Sequence, residues 1–147
     1  MEPSDGVGGP LTMLESLLRA TNAHDLEALA RCFDPDYLNE TPVHPGRGFR
    51  GRAQVRKNWE QIFAFVPDIT AIVLRHAVAG STVWSEWELH GTRRDGSAHE
   101  MRGVVIFGVE NALATWARFY LEPVDRGSAD VDAAVSQQVH PAVAGPE

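Results

Sequence analysis

The chain has 147 residues, enough for one domain with a packed core. A net charge of −7 without any basic run argues against a nucleic-acid partner, and no apolar run approaches the roughly 20 residues that span a bilayer. The one cysteine, Cys32, excludes an intrachain disulfide and sits between apolar positions, where a thiol packs rather than reacts.

Residues 1–10 are acidic and rich in Gly and Pro, which predicts a disordered arm. They lack the basic-then-apolar pattern of a signal peptide, so the expected location is cytoplasmic. Thr12 and Glu15 match a capping box, and Met13, Leu14, Leu17 and Leu18 then recur at helical spacing to about Asn22. Asp25 caps a second predicted helix with Leu26, Leu29 and Phe33 on one face. Asp34-Pro35-Asp36 ends it, because the residue before proline is displaced from the helical region. Residues 37–43 read as a short strand with Tyr37, Asn39 and Thr41 on one face. A Gly- and Pro-rich loop over 44–51 leads to a third helix, from Arg52 to about Phe65, whose buried side holds Val55, Trp59, Ile62, Phe63 and Val66.

The remainder is read as strands. Residues 69–79 form one, Gly80-Ser81 a turn, and residues 82–123 three more over 83–90, 98–109 and 114–122. Asp95-Gly96 marks the first hairpin, as both positions tolerate positive φ. Residues 129–139 form a weak helix and the end frays. The domain organisation is thus an arm over 1–10, a domain over 11–125 and a tail over 126–147. Helices followed by an antiparallel sheet argue for an α+β fold. A curved sheet wrapped around the helices leaves a cavity.

This order of elements carries Asn22-Ala23-His24-Asp25-Leu26-Glu27-Ala28-Leu29, Phe33, Pro42, Gly51-Arg52, Gly91-Thr92 and Ala117-Arg118-Phe119-Tyr120-Leu121-Glu122-Pro123. With those residues the chain resembles the SnoaL-like branch of the NTF2-like superfamily over about residues 14–125. The resemblance implies a cone-shaped barrel of three N-terminal helices on a strongly curved mixed or antiparallel sheet, enclosing a pocket, and a homodimer through the outer sheet face. It spans polyketide cyclases, ketosteroid isomerases, limonene-type epoxide hydrolases and binding proteins, so fold alone does not choose an activity.

Strand parity sorts the faces. Ser85, Trp87, Leu89, Met101, Gly103, Val105, Phe107, Ala117, Phe119 and Leu121 are apolar or small and are assigned to the pocket. Trp84, Glu86, Glu88, His90, Arg102, Trp116, Arg118, Tyr120 and Glu122 are assigned to the outer face, as a ladder of ion pairs and as the dimer surface. Three positions that carry an Asp-Arg-Asp set in limonene-type epoxide hydrolases align here with Trp87, Leu89 and Phe119. The ketosteroid isomerase tyrosine, base and protonated aspartate align with Leu17, Thr41 and Val105. The catalytic aspartate of SnoaL cyclases aligns with Phe119.

The remaining polar candidates lie in residues 37–44. His44 is the expected acid/base, since an imidazole transfers protons near neutral pH; the alternative is a loop histidine hydrogen-bonding the backbone beside Pro45. Tyr37 and Asn39 are expected to orient a substrate carbonyl. Leu17, Thr41, Trp59, Phe63, Trp87, Leu89, Met101, Val105, Phe119 and Leu121 are the expected substrate-binding wall. Arg47, Arg50 and Arg52 either attract an anionic substrate or are solvated. His90 and His99, near strand ends, are read as exposed. No residue spacing suggests a metal, and no cofactor is expected. The expected activity is an aldol-type cyclisation or proton-transfer isomerisation of an apolar carbonyl compound. Non-catalytic binding and a variant epoxide hydrolase are the alternatives.

Overall fold

The computed structural model describes residues 9–141. Most of the expected N-terminal arm, residues 1–8, and most of the expected fraying end, residues 142–147, lie outside them. The order is α1 (Pro10–Ala23), α2 (Leu26–Ala30), β1 (Phe33–Glu40), a single 3-10 turn (Pro45–Arg47), β2 (Phe49–Arg50), α3 (Arg52–Phe65), β3 (Thr70–Ala79), β4 (Thr82–Thr92), β5 (Ala98–Glu110), β6 (Leu113–Pro123) and α4 (Val131–Val139). The expected α+β class holds. One six-stranded sheet runs β2-β1-β6-β5-β4-β3. Every neighbouring pair is antiparallel except β1–β6, which is parallel. The sheet is not closed, and β2 and β3 are its edges.

Three local readings need correction. Helix α1 begins at Pro10, with Gly9 as its N-cap, so Thr12 lies within the first turn rather than before it. Proline suits that first position, since its fixed φ is helical and its missing N–H has no intrahelical partner there. Helix α2 ends at Ala30, so Phe33 opens β1 instead of sharing a helical face. Asp34-Pro35-Asp36 then interrupts a strand rather than ending a helix: β1 pairs with β6 at Phe33, loses register, and resumes at Leu38. Proline, lacking a ladder donor, fits such an irregularity.

Other ends follow their local chemistry. His24 adopts φ 55 and closes α1, and its Nε2–H donates to Ile69 O at 2.7 Å. Asp25 caps α2 by accepting from Ala28 N. At the β4–β5 hairpin only Gly96 has positive φ, while the Asp95 carboxylate accepts from Ser97 N and Oγ. Those bonds, the Ser97 hydroxyl first, hold the Asp95 carboxyl below its usual range.

Gly103, in the middle of β5, permits a close approach to β6. Its φ is 153, and a Cβ there would lie 2.1 Å from Tyr120 O on the neighbouring strand. Only glycine lets the two backbones approach so closely. The concave side packs on the helices around Met13, Leu17, Leu29, Tyr37, Val83, Val105 and Phe107. Cys32 joins this core, where burial pushes its thiol up to about 11. The convex side carries ion pairs between Arg75 and Glu86 (2.8 Å), Arg102 and Glu88 (3.5 Å), and Arg118 and Glu40 (3.0 Å).

Candidate functional site

A cavity of about 350 Å³ opens between β1, α3 and the concave face of β4–β6. Its wall includes Phe33, Val55, Trp59, Ile62, Leu89, Met101, Phe119 and Leu121, with polar groups from Tyr37, Asn39, Thr41, Arg47, Asn58, His99 and Glu122. A smaller recess of about 40 Å³, sharing Phe33, Trp59, Leu89, Phe119 and Leu121 with it, reaches Leu17, Thr21, Trp87, Val105 and Phe107. The cavity therefore has a polar outer part and an apolar inner end. The inner end is tightly built: Trp87 Nε1 donates to Ser85 Oγ (2.8 Å), which donates to Val105 O (2.7 Å).

Of the expected wall residues, Leu17, Thr41, Trp59, Trp87, Leu89, Met101, Val105, Phe119 and Leu121 line one or both parts. Phe63 does not. Its ring stacks on His24 at 4.7 Å and tilts against Trp59 at 5.5 Å, so it supports the wall from behind.

Tyr37 and Asn39 do face the cavity, as alternation along β1 requires. They are bound to each other. The Tyr37 hydroxyl donates to Asn39 Oδ1 at 2.7 Å, and Asn39 Nδ2 donates more weakly to Thr41 Oγ1 at 3.4 Å. Burial pushes the Tyr37 phenol far above its usual range, so it stays protonated and keeps this bond. What the chain offers to the cavity is its other end: the second Asn39 N–H and the Thr41 hydroxyl.

His44 is not among the lining residues. Its Nε2 lies 3.0 Å from Glu122 Oε1 and ties the loop after β1 to the end of β6. Glu122 itself departs from parity: assigned to the outer face, it lines the cavity mouth at the strand's end, drawn to His44.

The imidazole in the wall is His99, which was read as exposed. Desolvation, helped by the nearby Arg93 charge, lowers its pKa below 6.5, so the ring is neutral at neutral pH. Among the described residues no side chain or backbone group hydrogen-bonds the ring. The parity that put Met101 inside puts His99 there too, so the alternation carried this signal. Asn58 was also missed, although it sits three residues after Val55 and four before Ile62 on the same helical face. Gln54 donates to its Oδ1 at 2.8 Å, which leaves the Asn58 amide N–H groups to donate into the cavity. His90, by contrast, is on the outer face, 3.1 Å from Glu88 and 3.7 Å from Glu100. Among the described residues no group of three metal-ligating side chains is close enough to hold an ion.

The profile of the SnoaL-like domain matches residues 14–118. The chain belongs to the SnoaL-like domain family. The resemblance read from its sequence is borne out. No curated protein matches this SnoaL-like chain. Solved structures share its fold. RV0760c from Mycobacterium tuberculosis, in complex with estradiol-17beta-hemisuccinate, is 21% identical, with a TM-score of 0.66 over 86% of this chain and 97% of its own. A loop-truncation variant of IdmH is 24% identical, with a TM-score of 0.63 over 88% and 98%. AclR, a putative hydroxylase from Streptomyces galilaeus, is 13% identical, with a TM-score of 0.66 over 76% and 77%. At these identities the likeness establishes the fold alone.

Proposed function

We propose that this SnoaL-like protein binds an apolar, carbonyl-bearing small molecule and catalyses proton transfer at the carbon next to the carbonyl, without a cofactor. The observation that carries this reading is His99, a neutral imidazole in an otherwise largely apolar wall. As a base it takes the α-proton; the C–H pair moves into the enolate, and the charge settles on the carbonyl oxygen. Asn58 N–H, Asn39 N–H and the Thr41 hydroxyl are donors placed to reach that oxygen, with Arg47 farther out at the mouth. Return of the proton at another carbon is an isomerisation. Attack of the enolate carbon on a second carbonyl is an aldol cyclisation. That the same fold holds estradiol-17beta-hemisuccinate in RV0760c supports a ligand of this general character.

The test is exchange of the α-protons of 2-tetralone in D₂O, followed by proton NMR. The protein should accelerate exchange, and His99→Ala should lower the rate by about 100-fold. An unchanged rate in that variant removes His99 as the base.

A second reading is a binding protein. It is favoured by the absence of a carboxylate pair in the wall: Glu122 is bonded to His44, and Trp87, Leu89 and Phe119 are apolar. Bound 2-tetralone with exchange at the buffer rate would establish it. The same lack of an acid–base pair disfavours the variant epoxide hydrolase, for which diol formation from an epoxide is the assay.

The proposal includes a homodimer through the convex face, in a cytoplasmic setting. Trp84 is 51% exposed and Tyr120 37% exposed there, beside charges already paired within the chain. Exposed aromatics among satisfied charges suit an interface. Trp84→Glu should shift the sedimenting species from dimer to monomer at micromolar concentration; a monomeric wild type would overturn this part.

A further inference from the structure

Arg47, Arg50 and Arg52 lie within six residues, and the structure separates their roles. Arg50 donates to Asp36 O at 3.3 Å. Arg52 Nε donates to Phe33 O at 2.8 Å. These two guanidinium groups fasten the irregular start of β1 to the segment that follows it. Arg47 does neither. It ends the 3-10 turn and lines the cavity, and among the described residues nothing accepts a hydrogen bond or forms an ion pair with its guanidinium.

Among the described residues Arg31 and Lys57 likewise show no side-chain hydrogen bond or ion pair, but neither lines the cavity, and five other arginines are paired with carboxylates. Arg56 is paired with Glu27, Arg75 with Glu86, Arg102 with Glu88, Arg118 with Glu40 and Arg126 with Glu100. The chain carries a net charge of −7, so carboxylates are plentiful. The carboxylate that lines the same cavity, Glu122, is bonded to His44 instead. Arg47 is thus a cation facing the cavity mouth with its donors unused.

We infer that the natural ligand carries a carboxylate, bound by Arg47 at the mouth, while its apolar body enters toward the Trp87–Phe107 recess. The guanidinium fork matches a carboxylate through two parallel N–H···O bonds, and such charge-assisted bonds are stronger than neutral ones. The polar outer part and apolar inner end of the cavity set the same polarity on the ligand. This inference rests on the reading of the cavity as a small-molecule site and names the ligand class that site takes.

The probes are 2-naphthylacetate and 2-naphthylacetamide, nearly equal in shape and different in charge, titrated calorimetrically into the full chain. The acid should bind about 10-fold more tightly than the amide, a modest value for a charge-assisted bond at a solvent-exposed position. Arg47→Gln should abolish that preference, bringing acid affinity down to that of the amide in the same variant. Arg47→Lys should retain part of it, as the charge stays and the fork is lost. Arg50→Gln, a neighbour already bonded to backbone, should preserve it. Equal binding of acid and amide by the wild type, or a preference that survives Arg47→Gln, overturns the inference and leaves the cavity reading standing. Failure of both probes to bind overturns the cavity reading and the inference with it.

Discussion

Replacing Tyr37 by phenylalanine removes one oxygen from a side chain that is 1% exposed and leaves its shape unchanged. No cavity opens, and the ring contact with Phe33, at 4.8 Å between centroids, is kept. The loss is the 2.7 Å bond to Asn39 Oδ1, which then faces a buried site without its donor. A lost hydrogen bond with an unpaired buried acceptor costs about 2 kcal/mol. For a domain of this size that corresponds to a melting temperature lower by about 4–8 °C. Calorimetry and urea unfolding measure it. Because the Tyr37 proton is already committed to Asn39, 2-tetralone exchange should fall by less than about 10-fold, well short of a general acid's contribution. A variant with wild-type stability and exchange slowed 100-fold would refute this, and would make the phenol a direct partner of the ligand.

The pH profile of exchange should show an acid limb below pH 6.5, because the base must be neutral and burial lowers the His99 pKa. A limb at or above 6.5 would argue for another base. The same shift links folding to protons: below 6.5 the unfolded imidazole is protonated while the native one is still neutral, so stability falls as pH drops through that window. Gly103→Ala should cost about 2–3 kcal/mol, since a Cβ at that φ meets the Tyr120 carbonyl backbone and neither strand can withdraw. A loss below about 0.5 kcal/mol would show that the close approach of β5 and β6 does not depend on this glycine.

Much of the cavity wall was legible from alternation alone. Trp87, Leu89, Met101, Phe119 and Leu121 fall on one face because consecutive strand residues must point oppositely, whatever the tertiary context. His99 obeyed the same rule and was lost only by treating a strand's first turn of residues as exposed. What could not be read locally were positions decided by distant partners. His44 turns to Glu122, which lies 78 residues along the chain. Asp34-Pro35-Asp36 has the composition of a helix stop, yet it became a strand irregularity because β6 was present to pair on either side. The three arginines are alike as sequence and differ in their partners: Arg50 and Arg52 each meet a backbone carbonyl, and Arg47, among the described residues, meets none.

The parallel pairing of β1 with β6 has a consequence for how occupancy acts on the whole chain. Glu40 and Arg118, bonded across it, are 78 residues apart. Closing so long a loop is an entropic cost that grows only slowly with length and is met once, in folding. A molecule held between Tyr37 or Asn39 on one strand and Phe119 or Leu121 on the other acts as a reversible clasp across that join. It binds surfaces already brought together, so little of its affinity is spent on ordering them. In return it resists their separation, and the join becomes harder to open as the logarithm of ligand concentration once that exceeds Kd.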